Sequence, residues 1–250
     1  MPEEVNRVLT DHVSNLLFAP TDKAVENLKR ENITENVMNV GDVMYDAFLY
    51  NSTLAEKKYS LGSFGLVSKE YLLATIHRAE NTDSKENLEA IFEAFSKLED
   101  TVFLPLHPRT KYKLEEYSLT EIVQKADNIK IVEPVSYLEM LLLEKHAKVI
   151  VTDSGGVQKE AYFAKVPCFT LRSETEWVET VEVGCNRLVN LVEEDLATVI
   201  QQFQPTDFST PLYGDGKASE RIAKTIVNFL SEKAAYRLQV ATILRSDTHV

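Results

Sequence analysis

Cysteine is scarce in this chain: Cys168 and Cys185 are the only two, and neither has a neighbour at the spacing of two to four residues that zinc sites use. Both are expected to be reduced thiols. The five histidines also lack ligand spacing, so no metal site is expected. Positive charge is in deficit, with 27 Lys and Arg against 39 Asp and Glu, a formal net charge of −12. Such a surface repels a phosphate backbone, which argues against nucleic acid as a partner. No run reaches eighteen apolar residues, and Met1-Pro2-Glu3-Glu4 is acidic where a secretory leader needs a basic stretch and then an apolar one. A cytoplasmic protein without a membrane partner is expected. Repeats and low-complexity segments are also lacking.

What is present is an ordinary globular composition, 250 residues with 44% hydrophobic and 26% charged, enough for one large domain or up to two smaller ones. As one compact body it would hide roughly 70% of its unfolded surface, so a large core needs no staple. Short apolar runs at 37–40, 71–76, 102–106, 129–132, 149–152 and 168–171 alternate with stretches of helical periodicity. Apolar on both sides and separated by helices, they predict an α/β fold in which helices cover both faces of a parallel sheet. Ser84 or Asp83 can cap a helix to about Leu98, with Leu88, Ile91, Phe92 and Phe95 on its core face. Pro20-Thr21-Asp22 opens another helix, and the Gly214 to Gly216 segment precedes a last one from about Ala218. Before Val37 there are too few strands for a sheet.

Chemistry concentrates where strands end. The strand at 149–152 runs into Asp153-Ser154-Gly155-Gly156 and a helix, a turn whose free N–H groups and positive helix end suit an anion, with Ser154 as an added donor. Glu160, one turn further along, could accept hydrogen bonds from ribose hydroxyls; the alternative is a tight turn with a surface glutamate. It is not a Walker loop, since no Gly-Lys-Ser/Thr follows. The strand at 71–76 ends in His77-Arg78-Ala79-Glu80-Asn81, where a cation could neutralise a phosphate and a histidine could give it a proton; the alternative is a solvated loop with an Arg–Glu pair. His107-Pro108-Arg109 and Arg172 with Glu174-Thr175-Glu176-Trp177 close two further strands. Trp177 could equally be core packing. Pro2-Glu3-Glu4 reads by default as a helix first turn, and His12, His146 and His249 as structural or solvated.

Taken together, six segments resemble the non-hydrolysing UDP-N-acetylglucosamine 2-epimerases: Pro-Glu-Glu-x-Asn-Arg at 2–7, Phe-Ala-Pro-Thr at 18–21, Thr-x-His-Arg-x-Glu-Asn at 75–81, His-Pro-Arg at 107–109, Asp-Ser-Gly-Gly-x-Gln-x-Glu-Ala at 153–161 and Arg-x-x-Thr-Glu at 172–176. The resemblance implies the glycosyltransferase-B arrangement of two Rossmann-like domains, of which this chain would carry the second. Residues 1–36 would be a remnant of the amino-terminal domain, 37–205 the UDP-binding domain and 206–250 a helical segment crossing back. The rest of the amino-terminal half would then be missing or supplied separately, and the apolar surface this uncovers would favour a homodimer or other self-association.

The reaction implied is inversion at C2 of a UDP-N-acetylhexosamine, UDP-GlcNAc to UDP-ManNAc, without a cofactor. The C2 proton has no adjacent carbonyl to acidify it, so elimination of UDP to a glycal and re-addition replaces direct deprotonation. By the same resemblance, Glu3 corresponds to a carboxylate of proton transfer and His77 to the histidine beside the departing phosphate. Ser154, Gly155 and Gly156 correspond to the diphosphate cradle, Glu160 to the ribose anchor, and Arg78 and His107 to positions that touch a regulatory UDP-sugar in some members. Arg172 opens the Arg-x-x-Thr-Glu segment and is expected to bind substrate. Met140 stands where some members stack an aromatic ring on uracil, and a thioether can pack there. Trp177 stands where many members have arginine, and Thr-Glu-Trp-Val-Glu at 175–179 also resembles the branch acting on UDP-2,3-diacetamido-2,3-dideoxyglucuronate. A non-catalytic nucleotide-sugar binding module is the alternative of a different class.

Overall fold

The computed structural model describes residues 2–205 and 208–246, with side chains for 4–205 and 208–235. Contacts divide the chain into two compact units, Met1–Ala47 with Pro211–Val250, and Phe48–Thr210.

In the first unit, α1 (Pro2–Val13) starts on a proline whose missing N–H is no loss there. Strand β1 (Leu17–Ala19) leads to α2 (Asp22–Arg30), capped by the Thr21 hydroxyl, which accepts from Ala24 N at 3.2 Å. Strand β2 (Val37–Asn39) pairs parallel with β1 and not with the sheet of the second unit, although its composition resembles the strands there. Gly41 follows at φ +86°, where a Cβ would meet Tyr213 O at 3.0 Å, so glycine is required on two counts. Asp46 caps the carboxy-terminal helix (Ala218–Ser246), accepting from Ala218 N at 3.0 Å and Ser219 N at 2.7 Å.

The division between units falls inside α3 (Val43–Lys58). The second unit then runs β3 (Tyr71–Thr75), α4 (Ala79–Thr82), α5 (Lys85–Ser96), β4 (Thr101–Pro105), α6 (Pro108–Glu116), α7 (Thr120–Lys125), β5 (Ile129–Val132), α8 (Tyr137–His146), β6 (Val149–Thr152), α9 (Gly155–Phe163), β7 (Cys168–Thr170), α10 (Val178–Glu182), β8 (Asn186–Leu188) and α11 (Leu196–Gln202). Its six strands pair all parallel in the order β5-β4-β3-β6-β7-β8. This is the Rossmann-like α/β sheet expected. The strand order reverses between β3 and β6, and open α/β sheets bind ligands beyond the carboxyl ends of the strands at such a point.

Alternation along each strand divides the core in two. Leu72, Ala74, Val102, Leu104, Val149, Val151 and Phe169 face one apolar cluster, roofed by α5 through Leu88, Ile91, Phe92 and Phe95. Tyr71, Leu73, Phe103, Ile150 and Cys168 face the other, closed by α8 and α9 through Leu143, Val157 and Ala161. Ser84 caps α5 as expected. Cys168 and Cys185 are free, buried thiols, and burial pushes the Cys168 thiol up to about 12. Strand β8 escapes sequence reading because Asn186-Arg187-Leu188 is too short and polar to show an apolar run.

Phe169 is fully buried and meets Phe203 edge-on at 4.9 Å. Phe169→Ala is expected to destabilise this unit by about 3–5 kcal/mol, read as a lower urea midpoint.

Candidate functional site

The carboxyl ends of four adjacent strands, β4, β3, β6 and β7, carry His107, His77, Ser154 and Arg172 in that spatial order. The hub is Asp153, fully buried after β6. Its carboxylate accepts from His77 N (3.0 Å to each oxygen), from Arg78 N at 3.0 Å and from Asn81 Nδ2 at 3.1 Å. Beneath it the hydroxyls of Thr75 and Thr152, paired in register on β3 and β6, lie 2.6 Å apart. The loop after β3 is also held by Thr110 of α6, whose hydroxyl donates to Ile76 O, and by Arg109, which donates to Thr82 Oγ1 at 2.7 Å and Asp83 Oδ2 at 2.6 Å.

The His77 ring stands 3.6 Å (Nδ1) from Asp153 Oδ1 and 5.2 Å, centre to centre, from the ring of His107. Burial holds the His77 imidazole below its usual value; Asp153 opposes this, and His107 and Arg78 add to it. His107 itself caps α6, its Nδ1 accepting from Arg109 N at 3.1 Å.

Helix α9 starts on Ser154, which does not cap it with its own hydroxyl, so the first-turn N–H groups have no side-chain cap. Around that start converge the loops after β3 and β7. A Cβ on Gly155 would lie 3.3 Å from Trp177 Nε1, 3.5 Å from Glu176 Oε2 and 3.6 Å from Arg78 Nη2. Arg172 is buried and grips Glu176 with two hydrogen bonds, 2.8 and 3.1 Å, while Arg78 stands 3.8 Å from the same carboxylate. The Arg172 guanidinium keeps the Glu176 carboxyl below the usual range. Thus Arg78 pairs with Glu176 and not with Glu80, whose carboxylate accepts from Ser173 Oγ. Lys159 Nζ sits 4.1 Å over the Trp177 ring, so that ring lies beside the helix start. Two arginines, a lysine and a positive helix end therefore concentrate cationic potential in a chain of net charge −12.

Glu160 is buried and not a surface glutamate, and Tyr137 of α8 acts on its carboxyl, lowering its proton affinity against the effect of burial. Met140, also on α8, is half-buried against the second core cluster. Glu3 belongs to the first unit, in the first turn of α1, and its side chain lies outside the described residues, as does His249. His12 bonds Val8 O, and His146 stands 3.0 Å from Ser68 Oγ and 3.6 Å from Glu56, structural or solvent-side positions in both cases. Among the described residues no group of three or more His, Cys, Asp or Glu could hold a metal ion, and no helix is long and apolar enough to cross a membrane. Asp153, Glu176 and Glu144 were given no role by sequence reasoning. For Glu144 a signal existed: an acid directly after Leu141-Leu142-Leu143 on a helix with buried leucines.

The fold is a Rossmann-like sheet whose strand-end edge at the switch point carries these basic groups. A family model described as UDP-N-acetylglucosamine 2-epimerase matches residues 1–227, and the chain belongs to that family. It is 52% identical over 231 residues to a UDP-N-acetylglucosamine 2-epimerase homolog of Methanococcus maripaludis, covering 91% of this chain and 65% of that protein. It is 43% identical to a UDP-2,3-diacetamido-2,3-dideoxy-D-glucuronate 2-epimerase of Pseudomonas aeruginosa, covering 90% and 63%. The crystal structure of Methanocaldococcus jannaschii UDP-GlcNAc 2-epimerase in complex with UDP-GlcNAc and UDP superposes with a TM-score of 0.81 at 45% identity, covering 91% of this chain and 65% of that one. The chain thus spans 65% of the length of the first of these relatives.

Asp153→Asn puts an N–H2 group where backbone and side-chain donors point. It is expected to cost about 1–3 kcal/mol of stability, measured by chemical denaturation, and to broaden the amide resonances of His77 and Arg78.

Proposed function

We propose that residues 48–210 bind a UDP-sugar across the β3–β6 switch point, and that the whole protein epimerises a UDP-N-acetylhexosamine at C2, UDP-GlcNAc to UDP-ManNAc. The observation that carries this reading is the gathering of Arg78, and of Arg172 through Glu176, at the glycine start of α9, with His77 held beside Asp153 just before it. The diphosphate would lie on the first-turn N–H groups of α9 and the Ser154 hydroxyl, with Glu160 accepting from the ribose and Met140 packing on the uracil face.

The chemistry asked of these groups is stabilisation of a leaving group. A base takes the C2 proton as the C1–O bond breaks, the electron pair forms the C1–C2 double bond, and UDP departs with the negative charge. Re-protonation at C2 from the opposite face with return of UDP to C1 gives the epimer. Fixed donors at α9 and the guanidinium groups meet the charge as it develops on the diphosphate. His77, held neutral by burial at physiological pH, gains proton affinity as that charge grows beside it. Glu3 is the proposed proton-transfer carboxylate, and it belongs to the other unit.

A second reading of the sugar is supported by Trp177-Val178-Glu179 and by the 43% identical Pseudomonas aeruginosa relative: a UDP-2,3-diacetamido-2,3-dideoxyglucuronate. Exposed Val5, Leu9 and Val13, spaced by one helical turn on α1, support self-association.

Calorimetry with UDP is expected to show one site on the chain, weakened about tenfold or more in Arg172→Ala, the loss of a charged contact. No binding to the folded chain would defeat the reading. Incubation of UDP-GlcNAc in deuterated water tests turnover, and label at C2 is the expected product signature. Binding without label would favour the non-catalytic module.

A further inference from the structure

Among the buried acids, Glu144 has no place in the chemistry above. Its side chain on α8 is wholly buried, and neither carboxyl oxygen receives a hydrogen bond from any N–H or O–H group. An ionised carboxylate so placed has lost its water and gained no donor, which protein interiors do not tolerate. What Glu144 meets is Glu160 of α9, itself buried, whose Oε1 also lacks a donor. Two carboxyl groups in contact are two sets of acceptors, and they attract each other only when one carries a proton. Tyr137, seven residues before Glu144 and so on the same face of α8, meets Glu160 as well.

We propose that Glu144 and Glu160 share one proton, carried by Glu144, whose O–H holds Glu160 from behind so that Glu160 presents a single fixed negative charge to its ligand. Glu144 is thus a positioning residue, and this role rests on the reading of Glu160 as the ribose anchor.

The direction of proton affinity supports the assignment. Burial first, then the charge of Glu160, push the Glu144 carboxyl well above the ordinary carboxylate range. Burial leaves the Glu160 carboxyl above the ordinary range too, but less far than Glu144, because Tyr137, Glu144 and the charge of Lys159 oppose it. The other titratable groups that feel Glu144 are Tyr137 on α8, Tyr71 on β3 and Cys168 on β7, all with raised proton affinities and so uncharged at neutral pH. Because the folded state holds the Glu144 proton to a higher pH than the unfolded chain does, its contribution to stability is full below the ordinary carboxylate range. It is lost as pH rises from that range through the folded value.

Infrared difference spectroscopy on the 250-residue chain tests the shared proton without a ligand. At neutral pH exposed carboxylates are ionised, so a protonated carboxyl stretch should stand out, vanish in Glu144→Gln and shift in Glu160→Gln. Chemical denaturation across pH adds a second reading: the stability of the parent relative to Glu144→Gln should fall as pH rises above the ordinary carboxylate range. For the positioning role, Glu144→Gln keeps a donor and should bind UDP within about threefold of the parent, whereas Glu144→Leu should bind about tenfold more weakly while folding normally by circular dichroism. A parent without the band, or a band that survives in Glu144→Gln, overturns the shared proton whatever UDP does. A band with equal UDP affinity in Glu144→Leu overturns the positioning role. A band in a parent that binds no UDP removes the ribose anchor, and the positioning role with it, while the shared proton stands.

Discussion

Everything at the strand-end edge depends on one buried carboxylate. Asp153 lies at 0% exposure and offers both oxygens to the backbone of His77 and Arg78 and to the Asn81 amide. A parallel sheet fixes β3 against β6 only as far as Thr75 and Thr152. Beyond them the two loops would be free to diverge, and it is there that the strand order reverses and the sheet leaves a crevice. Asp153 extends the order of the sheet by three residues, using charge-assisted hydrogen bonds where ladder bonds have ended. It thereby sets how far the His77 imidazole and the Arg78 guanidinium stand from the start of α9.

That geometry also explains how an acidic protein can present a cationic site. Charges more than about 8–10 Å away are screened in salt, so local composition outweighs the net charge of −12. Within the edge, Arg172 is buried and Arg78 part-exposed, and one carboxylate, Glu176, stands between them. A buried guanidinium without a counter-charge would be costly, and Glu176 meets that need. It does so at the mouth of a helix whose first-turn N–H groups have no side-chain cap, so the positive end of α9 is not neutralised by Ser154. On the function proposed above, a diphosphate would bring more charge and more acceptor oxygens to the same donors than one carboxylate can.

Much of this was legible in sequence because it follows from local rules. Ser84 before a helix with Leu88, Ile91, Phe92 and Phe95 on one face is capping plus periodicity, and both are observed. The strands at the centre of the sheet were visible since burial on both sides makes them continuous apolar runs. Strand β8 was hidden because Asn186 spends its polarity inside, accepting from Thr170 Oγ1 at 2.8 Å, and no periodicity reports such a use. The edge itself was legible through glycine and charge at strand ends. The partners of those charges were not: Arg78 meets Glu176, 98 positions along the chain by numbering (176 − 78), and not the adjacent Glu80. Side-chain pairing across loops is set by tertiary structure, which a one-dimensional pattern does not contain.

On the function proposed above, the division of the chain would separate binding from turnover in physical terms. The unit Phe48–Thr210 covers both faces of its sheet with its own helices, and the two core clusters belong to it alone. An anion cradle would need its donors ordered beforehand, because donors that must first be ordered lose affinity to that ordering. Proton abstraction makes a different demand: a base placed to within a fraction of an ångström of one C–H bond. The carboxylate proposed for it, Glu3, lies on α1, in the other unit. Affinity for the nucleotide and the rate of epimerisation should thus respond to different substitutions, the first to changes among 48–210 and the second to changes in how α1 is held as well.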